Sequence, residues 1–400
     1  MRVVMNDGDV LIEDAGFNPA VFAWARESAG LSTADAALLL KVKQERLEAI
    51  ERGEEEPSRS LLLKMSNSYR RSLLVFYLPE PPRKANRGRD FRTVTADSSV
   101  DAEAEIDALM RDVQARQNVV LSVLVEDEEA KPLDFINSMS LDVGVDAACR
   151  LIMNRLGFNR EEFRAQANAE QAFAFLREKV EAAGVFVLLL GNLGSYHSAI
   201  PVEAFRGFAI ADPVAPFVVI NDQDAQTAWS FTLMHEVVHL WLGATGVSGG
   251  RPEQGIEQFC NEVAAQILVP SKEVARINVE GLTLEELLDL IAAQAVSWRV
   301  SRQMLAYGLY RTGRIGRETW QALDSKLRLL WVSERQRKKE IARGKKGGPN
   351  YYVIRRHRLG PAMLNFAGRS LRAGYLSPAK AAQVLGVNPR SVFPLLAGAT

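Results

Sequence analysis

The chain has 400 residues, of which 47% are hydrophobic and 24% are charged, and its formal net charge at pH 7 is zero. This composition is that of a soluble globular protein with two or three domains, and the zero net charge of the whole chain predicts neither nucleic acid nor a membrane as its partner. The two cysteines, Cys149 and Cys260, exclude a disulfide framework. Residues 1–14 lack a signal-peptide pattern, and no apolar run approaches the roughly 20 residues that cross a bilayer, so we expect a cytoplasmic protein.

The first predicted element is a group of four short helices within residues 19–78. Apolar residues recur at helical spacing in each helix, and Gly30 and Gly53 mark two of the helix ends. The segments that define the pattern are Trp24-Ala25-Arg26-Glu27, Gly30-Leu31-Ser32, Ala36-Ala37, Leu47-Glu48-Ala49-Ile50-Glu51-Arg52-Gly53 and Glu56-Pro57-Ser58. Their order resembles the helix-turn-helix of the phage-repressor-like (XRE-type) family.

This resemblance implies that the third helix lies in the DNA major groove, with Lys43, Gln44 and Arg46 contacting bases or phosphates. Six glutamates crowd the same stretch, at positions 45, 48, 51, 54, 55 and 56. A phosphate-binding surface is usually basic, because the release of counterions supplies much of the affinity. Two interpretations therefore stay open. Either the domain binds DNA, or it is a small helical domain that kept the fold and has lost strong DNA binding or binds a protein instead.

The stretch Pro79 to Asp90 is rich in Pro, Arg, Lys and Gly and predicts an exposed linker, whose basic side chains are either solvated or in contact with phosphate. Beyond it, the pattern predicts helices at 101–124, 149–156 and 163–180, followed by short strands at 185–190, 205–210 and 217–220. The sequence thus predicts a small sheet that packs against helices.

One His-Glu-x-x-His sequence, His235-Glu236-Val237-Val238-His239, lies in an apolar stretch of helical spacing. Residues four apart lie on one face of a helix, so both imidazoles can bind one Zn²⁺ while Glu236 reaches the water beside it. The apolar residues around the motif predict a buried helix over 225–242 that ends at Gly243. The alternative, two hydrogen-bonded core histidines, would bury a carboxylate at a cost without giving it a role.

A catalytic zinc usually has three protein ligands, and we expect the third on the next predicted helix, 256–268. The acids available on or just before it are Glu253, Glu257 and Glu262. Glu257 lies one turn from Asn261 and can enter the site from that side, with Glu262 as the second choice. Asn261 is expected to orient a ligating imidazole by a hydrogen bond.

The motif helix contains Phe231-Thr232-Leu233-Met234-His235-Glu236-Val237-Val238-His239-Leu240, and the next one contains Glu257-x-x-Cys260-Asn261-x-Val263-Ala264-Ala265-x-Ile267-Leu268-Val269-Pro270. These segments resemble the ImmA/IrrE family of metallopeptidases. In that family an acidic residue precedes an Ala-Asn pair, so the resemblance places the third ligand on Glu257. Cys260 stands where Ala is usual and Val263 where Phe is usual, both modest changes of volume. A repressor-like N-terminal domain also occurs in the family.

The resemblance implies metal-assisted hydrolysis of a peptide bond. His235, His239 and Glu257 would hold Zn²⁺, although Mn²⁺ also suits imidazole and carboxylate ligands. Glu236 would act as the general base and pass the proton to the leaving amine.

The donor to the tetrahedral oxyanion is not evident from the motif itself. Tyr196 and His197, in a loop after the first strand of the predicted sheet, are candidates by residue type alone. The alternative for His197 is an ordinary surface histidine.

Residues 283–310 predict two more helices, which resemble the helical tail of the same family. Residues 335–346 are strongly basic and predict a solvated helix end and loop, or a contact for nucleic acid or an acidic surface. Residues 361–396 predict a last helical pair, in which Ala381-Ala382-x-x-Leu385-Gly386-Val387 has a faint similarity to a helix-turn-helix.

The predicted fold class is α+β and mostly helical: an all-α helix-turn-helix domain, then a zincin-like peptidase domain with a small sheet, then a helical C-terminal extension. The predicted boundaries are 1–80 for the helix-turn-helix domain, 81–100 for the linker, 101–275 for the metallopeptidase domain, 276–335 for the helical extension and 336–400 for the basic loop and tail.

By the same resemblance, the chain is expected to be a zinc endopeptidase that cleaves a helix-turn-helix repressor or antitoxin and thereby relieves repression. Its partners would be that protein substrate and, through the N-terminal domain, DNA. The alternative is a DNA-binding regulator or antitoxin component whose metal site is structural or vestigial. Glu236 favours the peptidase, because a purely structural site needs no general base.

Overall fold

The computed structural model describes residues 2–6, 9–13, 17–82, 100–194, 198–243, 254–344 and 350–398. They form two compact units, one within Met1–Ala85 and Val94–Asp112 and the other within Val113–Thr400. Helices dominate both, which confirms the predicted α+β, mostly helical class. No helix in the described part of the chain is long and apolar enough to cross a membrane.

The first unit consists of a hairpin and a group of short helices. Its elements are β1 (Arg2–Asn6), β2 (Asp9–Glu13), α1 (Pro19–Glu27), α2 (Thr33–Leu40), α3 (Gln44–Arg52), α4 (Arg59–Ser68) and a 3₁₀ segment (Leu73–Tyr77). The four predicted helices are therefore present, whereas the antiparallel pair of β1 with β2 was not predicted. The side chains of Asn18, Ser32 and Ser58 accept hydrogen bonds from backbone N–H groups in the first turns of α1, α2 and α4, which explains where these helices begin.

The helices of the first unit enclose a small apolar core. Phe22 of α1, Leu47 of α3 and Leu62 of α4 are at most 2% exposed and pack in one cluster. The guanidinium of Arg26 on α1 donates two hydrogen bonds, of 2.7 and 2.9 Å, to the carboxylate of Glu51 on α3. This bidentate, largely buried pair fixes α3 against α1.

The second unit contains the predicted sheet and most of the helices. Its elements are the part of α5 (Val100–Glu126) from Val113 onward, α6 (Val145–Leu156), α7 (Arg160–Ala165), α8 (Ala169–Ala182), β3 (Phe186–Leu189), β4 (Gly207–Ile210), β5 (Phe217–Ile220), α9 (Gln226–Leu242), α10 (Gln254–Leu268), α11 (Ser271–Val274), α12 (Leu284–Trp298), α13 (Arg302–Arg311), α14 (Arg317–Gly344), α15 (Tyr351–Ala373), α16 (Pro378–Leu385) and α17 (Val392–Leu396). The C-terminal tail thus has three helices where the sequence predicted a pair.

The three strands form one sheet in the order β3-β5-β4. β5 is central, parallel to β3 and antiparallel to β4, and Ile220 of β5 is in register with both Leu189 of β3 and Gly207 of β4. All four residues of β5 are fully buried, which explains their continuous apolar sequence. Helix α9 packs against β4 and β5, so the sheet forms one side of the region around the histidine motif.

A buried ion pair joins α8 to the C-terminal tail. Arg177 Nε donates to Glu181 Oε1 at 2.9 Å, and both side chains are 5% exposed. The Arg177 guanidinium also donates to the carbonyl oxygens of Val187, His357 and Arg358. Burial lowers the pKa of Arg177, because desolvation disfavours the charged guanidinium. The Glu181 carboxylate acts in the opposite direction and stabilises the cation.

The same pair stabilises an irregularity in α15. The helix breaks at Gly360, where φ is +77°, and Pro361 follows, so carbonyl groups before the break lose their helical partners. Arg177 satisfies two of those carbonyls, and Glu181 Oε2 accepts from the N–H of Ala362 at 2.9 Å on the other side of the break. Both members of the ion pair therefore act as caps for the two halves of α15.

We expect Arg177→Ala to destabilise the protein by about 3–5 kcal/mol, because it leaves the Glu181 carboxylate buried without its cation. Urea-induced unfolding followed by tryptophan fluorescence measures this. The matched control is Arg328→Ala, which removes an exposed pair with Asp324 at the same spacing of four residues and should cost less than about 1 kcal/mol. Equal losses in the two variants would show that the buried pair does not hold the tail.

Candidate metal centre

Helix α9 places the His-Glu-x-x-His motif deep inside the second unit. It packs against β4, β5, α8 and α10, and all its side chains from Thr232 to Trp241 are buried. His235, Glu236 and His239 are each at most 2% exposed. Imidazoles and a carboxylate in such a place need polar partners or an ion, because their desolvation is otherwise uncompensated.

Helix α10 brings Glu257 to the two imidazoles. The Nε2 atoms of His235 and His239 lie 2.9 Å apart. The carboxylate of Glu257 spans them, with Oε2 at 3.4 Å from His235 Nε2 and Oε1 at 3.2 Å from His239 Nε2. Among the described residues, these three side chains form a group that could hold a metal ion, because their ligand atoms all lie within 4.8 Å of one another.

The donor set and its spacing fit a tetrahedral divalent ion. Zinc binds imidazole nitrogen and carboxylate oxygen at about 2.0–2.2 Å, which places neighbouring ligand atoms of a tetrahedron about 3.3 Å apart. The distance between the two Nε2 atoms, 2.9 Å, and the distances from the Nε2 atoms of His235 and His239 to one oxygen each of Glu257, 3.4 and 3.2 Å, lie close to that value. Three protein ligands leave one position for water or substrate, as in catalytic rather than structural zinc sites. Imidazole and carboxylate suit several metals, so the donors alone do not select zinc.

Glu236 lies on α9 between the two histidines and next to the edge strand β4. A Cβ atom placed on Gly207, the first residue of β4, would lie 2.9 Å from Glu236 Oε1 and 2.7 Å from Thr232 Cγ2. Distances this short do not occur for real Cβ atoms, so only glycine leaves the carboxylate its place. Sequence reasoning missed Gly207, because nothing in the sequence indicates which strand residue faces the motif.

The two cysteines have different surroundings. Cys260 Sγ on α10 lies 3.6 Å from His239 Nδ1, the ring nitrogen that does not face Glu257. From the sequence we considered only its volume, although its position one turn after Glu257 places it on the same face of the helix. Cys149 Sγ lies 3.7 Å from the carbonyl oxygen of Val263, and burial raises the pKa of this thiol to about 12. Cys149 is therefore unsuited to act as a nucleophile.

The remaining predictions for the site have mixed outcomes. Glu262, the second choice for third ligand, lies on α10 and accepts from Arg311 Nη2 at 2.7 Å instead of joining the group. Asn261 also lies on α10, with an exposed side chain, and its proposed role remains a prediction. Tyr196, His197 and Glu253 lie outside the described residues.

The residues predicted to contact DNA lie at the start of α3 and are exposed. Two of them are bonded to nearby glutamates: Gln44 Nε2 donates to Glu48 Oε1 at 2.8 Å, and Arg46 Nε donates to Glu55 Oε1 at 2.7 Å. Lys43 precedes α3 directly. DNA phosphates would therefore have to compete with carboxylates for Arg46.

Comparison with known protein families gives two matches. Residues 195–310 match a peptidase family described as the IrrE N-terminal-like domain. Residues 22–76 match a family described as helix-turn-helix. The first range contains α9, α10 and the His-His-Glu group, and the second contains α1 to α4. No curated protein and no solved structure matches the chain.

We expect the purified protein to bind one Zn²⁺, and Glu257→Ala to weaken this binding by more than about 100-fold, since it removes a ligand rather than an outer partner. Competition with a chelating dye measures the affinity. Glu262→Ala is the matched control, because it removes the other acid of α10 and should leave the affinity unchanged. If Glu262→Ala loses the metal and Glu257→Ala keeps it, the third ligand is wrongly assigned.

Proposed function

The chain is an ImmA/IrrE-type protein with an XRE-type helix-turn-helix domain, and from this premise we propose that it is a zinc-dependent endopeptidase. The proposal rests above all on one observation. The ligand atoms of His235, His239 and Glu257 lie within 4.8 Å of one another, and the buried acid of the motif, Glu236, lies on the same helix as the two histidines. A structural or vestigial site would need the three ligands but not a second carboxylate, buried on the motif helix.

The chemistry divides between the metal and the protein. A bound Zn²⁺ supplies Lewis acidity, which polarises a peptide carbonyl and lowers the pKa of water towards about 7. Glu236 accepts the proton of the attacking water on its carboxylate and then delivers it to the amine that leaves. Gly207 leaves room for Oε1 of Glu236, because it has no Cβ. His235, His239 and Glu257 would hold the ion, and Cys260 contacts the other ring nitrogen of His239.

We propose a regulatory protein, a helix-turn-helix repressor or antitoxin, as the substrate. The support is the resemblance to the ImmA/IrrE type together with the helix-turn-helix domain on the same chain, which links the peptidase to transcriptional control. Cleavage of that substrate would relieve repression. The second candidate function is that of a DNA-binding regulator whose metal site has no catalytic role. The helix-turn-helix match supports this candidate.

We expect Glu236→Gln to lower the cleavage of a co-encoded helix-turn-helix protein by about 10²–10⁴-fold, because an amide cannot accept the proton. Zinc content should be unchanged, since the three ligands remain. Cleavage is followed by gel electrophoresis and mass spectrometry of the fragments. Glu178→Gln, an exposed acid-to-amide change on α8, is the matched control and should cleave like the wild type. Equal cleavage by wild type and Glu236→Gln would support the regulator instead.

For the N-terminal domain we propose weak DNA binding through Lys43, Gln44 and Arg46. Residues 17–82, which hold the helix-turn-helix, contain nine Lys or Arg and nine Asp or Glu, so this segment has no net charge to attract phosphate. We therefore expect a mobility shift on the upstream promoter only at low salt, and a weaker one for the double variant Lys43→Ala and Arg46→Ala. Arg59→Ala, which removes an exposed cation from α4, should have less effect. The absence of a shift in the wild type at low salt would remove this role.

A further inference from the structure

The end of the chain has the element order of a helix-turn-helix: a helix, a short turn and a second helical segment. α16 ends at Gly386, which has φ +59°, and after a short turn Pro389–Ser391 and α17 continue as a second helical segment over 389–396. The two segments pack by Ala382 and Leu385 on one side and Val392 and Leu395 on the other, all at most 4% exposed. The helix, turn and helix that the sequence indicated only faintly are thus present and in contact with each other. Helix α15 packs against both segments as a third helix.

A buried arginine holds this helix pair to the rest of the unit. Arg355 on α15 is 8% exposed, and its guanidinium donates to the carbonyl oxygens of Leu385 and Gly386 at the end of α16. A cation at the C-terminal end of a helix also interacts favourably with the helix dipole. Gly386 has no room for a Cβ, because the guanidinium groups of Arg116 and Arg355 lie against it. The turn is therefore fixed, and with it the orientation of the second segment.

The outer side of the second segment has the residue types that read DNA. Its exposed side chains are Asn388, Pro389, Arg390, Phe393 and Pro394. In a helix-turn-helix the second helix enters the major groove and the first crosses the backbone. Arg and Asn make the bidentate contacts to guanine and adenine, and an apolar side chain such as Phe393, which is 59% exposed, can contact the thymine methyl group.

The charge of the tail supports the same ligand. Residues 350–398 contain no Asp or Glu and seven Arg or Lys, at positions 355, 356, 358, 369, 372, 380 and 390. Some of these cations are used inside the unit: Arg358 pairs with Asp222 at 2.6 Å, and Arg369 pairs with Glu129 at 2.7 Å. Arg390 and Lys380 are exposed on the helix pair itself. By contrast, glutamates lie within α3 of the N-terminal unit and directly after it.

We propose that the helix pair 377–396 is a second nucleic-acid-binding site that contacts duplex DNA. Arg390, Asn388 and Phe393 face the major groove, and Lys380 on the first helix contacts the phosphate backbone. This site is separate from the peptidase centre and from the N-terminal helix-turn-helix, so its test does not depend on peptidase activity.

The test measures binding of the full-length protein to a fluorescent duplex of about 24 base pairs, by anisotropy, from about 50 to 200 mM salt. All proteins carry Lys43→Ala and Arg46→Ala, so that the N-terminal contribution is reduced. We expect Arg390→Ala to weaken binding by about tenfold. Lys380→Ala should weaken binding to all sequences alike and reduce the salt slope by about 1.

Arg150→Ala is the matched control, because it removes an exposed cation from α6, outside the tail, and should bind like its parent. Arg390→Lys keeps the charge and should retain the salt slope while losing part of the preference between sequences. Thermal unfolding of each variant identifies any that fail to fold, and Lys380→Ala tests the proposal independently if Arg390→Ala does fail.

The proposal is overturned if Arg390→Ala and Lys380→Ala both bind the duplex as Arg150→Ala does. It is also overturned if a Glu-rich peptide binds more tightly than the duplex and loses its affinity in Arg390→Ala, since the surface would then take an acidic protein.

Discussion

The burial of two imidazoles and the Glu236 carboxylate, with the partly exposed carboxylate of Glu257 against the imidazoles, is the constraint on which the larger unit depends. α9 is apolar on nearly every side, and in such surroundings the polar groups of His235, Glu236 and His239 carry a large desolvation cost. α10 must approach closely enough for Glu257 to span both imidazoles, within 3.4 Å. The packing of α10 on α9, and of α9 on the sheet, therefore serves the geometry of a single centre.

The sequence predicts the features of this site that depend on a periodic pattern within one helix or one strand. The spacing of His235 and His239 gives a helix with two imidazoles on one face, and the continuous apolar residues of β5 give a buried strand. What the sequence does not contain is the distance between elements. The contact of Cys260 with His239 and the position of Gly207 against Glu236 depend on how α10 and β4 approach α9, and no local pattern encodes that approach. Glu257 was placed by resemblance for the same reason.

Long-range contacts also explain the tail, which sequence reasoning treated only as a helical pair. Arg177 donates hydrogen bonds to the backbone of His357 and Arg358, about 180 positions later in the chain, and these bonds allow α15 to break at Gly360.

The charge of the chain is unevenly distributed along the sequence. A net charge of zero argued against nucleic acid as a partner of the whole chain, yet it is an average over an N-terminal helix interleaved with glutamates and a segment, 350–398, without any acid. The distribution of charge, and not its sum, decides which surfaces suit phosphate.

Gly207 has a consequence for how such a site can change during evolution. Where the wall of a site is made of side chains, a substitution can enlarge, reshape or polarise it. At Gly207 the wall is main chain, and the space in front of it is already taken by Glu236 and Thr232. Variation is therefore restricted at this point of β4, and the immediate neighbourhood of Glu236 remains the same.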